Sequence, residues 1–189
     1  LGSWNYVQTV SGVKINAAAR KGSATNNSDG ATSALGGSAW DFALTTDGEM
    51  LGVDGLAIGA GYGQSDLNQA AATGGDDSSM TAFANYSFGP ATFGMQMSRI
   101  NNGGLTSSDE DVMAWGLAFN VNENLSLSYG ERDVEYQASE NVTENGEGFA
   151  AAYTMGSIKI AGNRNEVSNN GGTKLASDSM TEIAVSFAF

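Results

Sequence analysis

The sequence predicts an all-β fold, a transmembrane antiparallel up-and-down β-barrel. Three observations carry that prediction. Apolar and polar residues alternate strictly, one by one, in segment after segment of the 189 residues. Short and long connections between these segments also alternate. The chain closes on a two-faced segment, residues 181–189, whose last residue is Phe189. Termini of water-soluble domains usually fray, whereas a strand facing lipid is able to end on an aromatic residue.

The segments follow in order. Residues 4–10 read as a less regular strand. Val13, Ile15, Ala17 and Ala19 then oppose Lys14, Asn16, Ala18 and Arg20. Trp40, Phe42 and Leu44 oppose Asp41, Ala43 and Thr45. In 55–64, Leu56, Ile58, Ala60 and Tyr62 oppose small residues, mostly glycine. Residues 79–88 and 91–98 set Met80, Tyr86, Phe88, Phe93, Met95 and Met97 against Thr81, Asn85, Thr92 and Gln96. Residues 112–121 and 125–132 set Trp115, Leu117, Phe119, Leu127 and Tyr129 against Ala, Gly, Ser and Arg132. Phe149, Tyr153 and Met155 mark one face of 147–155, and Ile158 and Ile160 oppose Lys159 and Asn163 in 157–163. In the last strand Thr181, Ile183, Val185, Phe187 and Phe189 oppose Glu182, Ala184, Ser186 and Ala188.

Alternation alone does not separate a sandwich from a membrane barrel. The connections do. Short turns are expected at 11–12, 89–90, 122–124 and 156, with a moderate one at 47–54. Long polar segments are expected at 21–37, 65–78, 101–111, 137–146 and 166–178. Up-and-down topology then places every short turn at one end and every long loop at the other, as in outer-membrane barrels with short periplasmic turns and long external loops. The C-terminus accordingly falls on the periplasmic side. Phe88, Phe93, Phe119, Tyr153 and Phe189 are expected to form one aromatic girdle, and Trp40, Tyr62, Trp115 and Tyr129 the other.

Composition narrows function. No apolar run approaches the roughly 20 residues of a transmembrane helix. The chain has 21 acidic and 8 basic residues, a net charge of -13, which argues against nucleic-acid binding. Histidine and cysteine are both absent, removing the usual general base and the thiol nucleophile and ligand. No catalytic or phosphate-binding motif is present, so no enzyme activity and no cofactor or metal are expected.

The segments Glu182-Ile-Ala-Val-Ser-Phe-Ala-Phe189, Gly148-Phe-Ala-Ala-Ala-Tyr-Thr-Met-Gly156 and Phe88-Gly-Pro-Ala-Thr-Phe-Gly94 resemble those of Gram-negative outer-membrane porins, especially the general-diffusion type of alphaproteobacteria. The resemblance implies a trimer of sixteen-stranded barrels, each with a constriction loop, in the outer membrane, passing small hydrophilic solutes. It implies that Phe189 resembles the signal read by the barrel-assembly machinery. About eleven strands are counted here, an odd number, and counting back from Phe189 makes 4–10 the sixth strand of sixteen. Residues 1–189 are thus expected to be one domain, the C-terminal part of a longer barrel. Without a strand at 4–10, a complete ten-stranded barrel is the alternative, and its acidic loops suggest a structural or adhesive role.

By parity, Lys14, Arg20, Asp41, Arg132, Lys159 and Glu182 point into the lumen. A lipid-facing Lys or Arg costs about 2–4 kcal/mol at the bilayer midplane, so inward placement is the cheaper assignment. Arg99 and Arg164 have outward parity at the long-loop rim, where they are expected to meet lipopolysaccharide phosphates or to snorkel to water.

Overall fold

The computed structural model describes residues 2–22, 36–67, 76–103, 109–137 and 142–188. They form one eleven-stranded sheet in which sequence order is spatial order. The strands are β1 (Ser3–Val10), β2 (Val13–Arg20), β3 (Gly36–Asp47), β4 (Leu56–Leu67), β5 (Asp77–Phe88), β6 (Ala91–Asn101), β7 (Glu110–Asn120), β8 (Leu125–Tyr136), β9 (Thr143–Met155), β10 (Ile158–Ser168) and β11 (Ser177–Phe187). Every neighbouring pair is antiparallel. Because Ser3–Val10 is a strand, the condition for the ten-stranded alternative does not hold.

Local chemistry sets the short ends. Ser11 and Gly12 both have positive φ, 50° and 82°, and close a two-residue hairpin whose twist matches that of the strands. At the β7–β8 turn the Asn122 side-chain oxygen accepts from the N–H groups of Asn124 and Leu125, both at 2.9 Å. The β3–β4 connection contains a 3-10 turn, Gly48–Leu51, and ends on Gly55 at φ 77°. A Cβ on Gly55 would lie 2.1 Å from the Ser87 carbonyl oxygen, so the turn packs against the end of β5 only because this residue is glycine.

The long connections are shorter than the sequence suggested. β9 begins at Thr143, β8 runs to Tyr136 and β10 to Ser168. Here the backbone ladder continues after the hydropathy contrast has faded, since side chains on both faces become polar. Strand pairing depends on backbone hydrogen bonds and register, and neither needs an apolar face.

The two faces differ in an unusual sense. In β9, Phe149, Tyr153 and Met155 are 50%, 45% and 61% exposed. The smaller Ala150, Ala152 and Thr154 between them are half-buried. Across the described residues, Ala91 and Val134 are the only buried apolar residues. A water-soluble sandwich buries its large apolar chains between two layers. This single sheet turns them outward instead, over a continuous surface that water does not favour.

Candidate functional site: the polar face of the sheet

Register fixes which side chains share the polar face. The row Thr9–Lys14–Thr45–Gly59–Phe83–Gln96 crosses β1 to β6. The row Gly94–Gly116–Gly130–Gly148–Asn165 crosses β6 to β10. A floor of Gly, Ala and Ser results, broken by single charges. One hollow of about 410 Å³ on this face is lined from β7 to β11, with Asn120, Ser128, Ala150, Asn163 and Glu182 among its walls. A second, of about 420 Å³, runs along Thr92, Gly116, Gly130 and Asn165.

All six residues assigned to the lumen by parity lie on this face. Lys14 pairs with Thr9 and Thr45 beside the short turns, and Lys159 pairs with Thr154 and Ser186 at the same end. Arg20 pairs with Ser3 and Ala39, near the long loops. Asp41 lies between Ala18 and Gly63. The Asn163 side-chain amide donates to Glu182 at 3.3 Å. Among the described residues, Lys14, Arg20, Asp41 and Lys159 take part in no side-chain hydrogen bond or ion pair, so they stand as open wall charges. Arg132 differs, because its guanidinium pairs with Glu144.

Glu144 was not singled out in the sequence, because it falls inside the segment read as a loop. It is nevertheless 4% exposed, opposite Val134 on the polar face. Its carboxylate accepts from Arg132, from the Tyr136 hydroxyl at 3.2 Å and from the Gly171 N–H at 2.7 Å. A polar group so buried needs such partners.

The opposite face carries most of the aromatic residues, Phe83 and Tyr136 being the exceptions that lie on the polar face. Trp40 and Tyr62 approach to 5.4 Å between ring centroids, Phe93 and Trp115 to 6.4 Å, and Trp115 and Tyr129 to 5.7 Å. The Trp115 indole N–H donates to Glu131 at 3.2 Å, and the Tyr129 hydroxyl lies 2.6 Å from Glu131 and 3.0 Å from Glu147. Apolar rings with a polar handle toward the loops suit a membrane–water boundary. Above them the face turns acidic: Glu131, Glu147 and Glu166 occupy one cross-strand row. Arg99 and Arg164 lie at this rim and are engaged by neighbours. Arg99 grips both oxygens of Asp111 at 2.5 and 2.8 Å, and Arg164 meets Glu166 at 2.5 Å. These pairs connect residues on the same face, which parity predicted without identifying the partners. Phe189, proposed above as an assembly signal, lies outside the described residues.

Residues 3–172 match a family model described as Gram-negative porin. No curated protein matches the chain in sequence. Among solved structures, the fold is similar to a porin refined at 1.8 Å resolution, with TM-score 0.68 and 15% identity over 98% of this chain and 60% of that one. It is also similar to outer-membrane expressed OmpT of Vibrio cholerae, with TM-score 0.60 and 15% identity over 97% of this chain and 61% of that one. The OmpT trimer form matches with TM-score 0.55 and 13% identity over 97% and 61%. The chain thus spans about 60% of the length of these structures.

Proposed function

The chain belongs to the Gram-negative porin family, and from that premise we propose that it forms wall of a water-filled outer-membrane channel for small hydrophilic solutes. The observation that carries this reading is the inverted exposure of the sheet. Bulky apolar chains face outward, where lipid covers them at no hydration cost, and small polar chains line the other side. The open charges Lys14, Arg20, Asp41 and Lys159, together with Glu182, then bias which ions pass, as charges lining a pore do. No bond is made or broken in such a passage.

The orientation proposed with this reading is that of outer-membrane barrels. The turns at 11–12, 48–55, 89–90, 121–124 and 156–157 face the periplasm, and the loops lie outside the cell. The protein assembles as a homotrimer, a reading supported by likeness to a structure that itself forms trimers. Phe189 is the residue offered to the assembly machinery. The rim arginines share their charge between the carboxylates beside them and the lipopolysaccharide headgroups at the same depth.

Reconstitution of the protein into planar bilayers tests the proposal. Discrete, stepwise conductance increments are expected. A folded protein that inserts and passes no current would overturn it.

A further inference from the structure

The connection between β10 and β11 does not stand away from the sheet. It folds over the polar face at the long-loop end of β8 and β9. The Gly171 N–H donates to the Glu144 carboxylate at 2.7 Å. Gly172 lies flat on the Tyr136 ring, so closely that a Cβ there would meet the ring at 2.8 Å. The Asn169 amide donates to the Thr143 carbonyl at 3.0 Å, tying the start of the segment to the first residue of β9. The segment is also tied to itself, with the Asn170 N–H on the Ala176 carbonyl at 3.1 Å and the Leu175 N–H on the Asn169 side-chain oxygen at 3.1 Å.

Two further features mark a held conformation. Asn169 and Leu175 both have positive φ, 53° and 65°, which for leucine is strained and persists only where neighbours over-determine it. Leu175 is 87% exposed, so burial of its side chain does not hold it there. Leu175 is held by its bond to the Asn169 side chain, and the middle of the segment is held to the wall at Gly171 by Glu144, whose other oxygen is occupied by Arg132 on the same face.

We infer that Glu144 is a positioning residue that latches residues 169–176 across the external entrance of the channel, and that this latched segment sets the size limit for entering solutes. The inference rests on the reading of the polar face as the lumen. Removing the carboxylate takes away the acceptor for Gly171 and frees Arg132, so the segment lifts and the entrance widens.

The test uses the reconstituted protein with a nitroxide label on Thr173→Cys, in a chain with no native cysteine. Glu144→Ala is compared with its parent by spin-label mobility and by exclusion of graded polyethylene glycols from the conducting pore. The label is expected to become mobile and the polymer cutoff to shift to larger sizes, with Glu144→Gln intermediate because its amide oxygen still accepts from Gly171. Gly171→Pro removes the donor and also forbids the positive φ of 62° that the segment needs there, so it releases the segment from the loop side without touching the wall, is expected to act as Glu144→Ala does, and guards against a folding defect at Glu144. An unchanged label spectrum in both variants overturns the latch. A mobile label with an unchanged cutoff overturns the entrance role. A parent that passes no current overturns the channel reading and the entrance role with it, while the label still reads the latch.

Discussion

Ala150 and Ala151 provide a test of the two faces with identical starting side chains. They are adjacent in β9 and both half-buried. Ala150 pairs with Ser128 and Asn163, on the polar face. Ala151 pairs with Leu127 and Gly162 and lies between Phe149 and Tyr153 on its own strand. It is four residues from Met155 at the end of β9. At about 3.3 Å per residue that is about 13 Å along the strand. With a strand tilt of roughly 40°, it becomes about 10 Å of depth in an apolar band about 25 Å tall, close to the midplane. Ala151→Arg is therefore expected to cost about 2–4 kcal/mol of folding free energy in lipid, or roughly 30- to 700-fold in the folding equilibrium. Ala150→Arg keeps its charge in water and is expected to fold within about 1 kcal/mol of the parent, while lowering conductance. The assay is reversible unfolding by denaturant in thin-bilayer vesicles, followed by tryptophan emission and by heat-modifiable migration on gels. Equal costs at the two positions, or a larger cost at 150, would refute the assignment of the faces.

Other consequences concern packing and charge. A Cβ on Gly59 would meet the Phe83 ring at 2.4 Å and Thr45 Cγ2 at 2.8 Å. Gly59→Ala is expected to destabilise the protein by about 1–3 kcal/mol, and adding Phe83→Ala should recover part of that loss in a double-mutant cycle of unfolding. Replacing Lys14 and Lys159 by Gln removes two open cations from the short-turn end of the polar face. The reversal potential under a salt gradient should move toward cation preference, and Glu182→Gln should move it the other way. A reversal potential unmoved by all three substitutions would remove these residues from the conducting path.

The sequence made the membrane-spanning part of the sheet legible and lost its upper edge. From Leu56 to Tyr62, or from Phe149 to Met155, large apolar residues alternate with small ones because lipid and water lie on opposite sides. That contrast reveals strand, face and direction together. At Thr143-Glu-Asn-Gly146 both faces are polar and the alternation vanishes, so nothing in the sequence there distinguishes strand from loop. Glu144 is hidden with it, although its partner Arg132 has polar-face parity that the sequence shows plainly. Glu144 lies 12 residues beyond Arg132 and faces it across β8 and β9 only through the register. The same limit applied to Arg99 and Arg164, whose outward parity was evident. Their carboxylate partners, Asp111 across the β6–β7 ladder and Glu166 on the same strand, sat in segments without a hydropathy period. The 3-10 turn at Gly48–Leu51 had no alternation to reveal it either.

The most direct test of the central claim is a cysteine scan of residues 148–155, one position at a time, in the membrane-inserted protein. A water-soluble thiol reagent is applied from the aqueous phase. The account predicts a period of two: positions 148, 150, 152 and 154 react, and 149, 151, 153 and 155 are protected by lipid. Uniform labelling, or labelling of the odd positions alone, would contradict a sheet that turns its apolar face to lipid and its polar face to a water-filled channel.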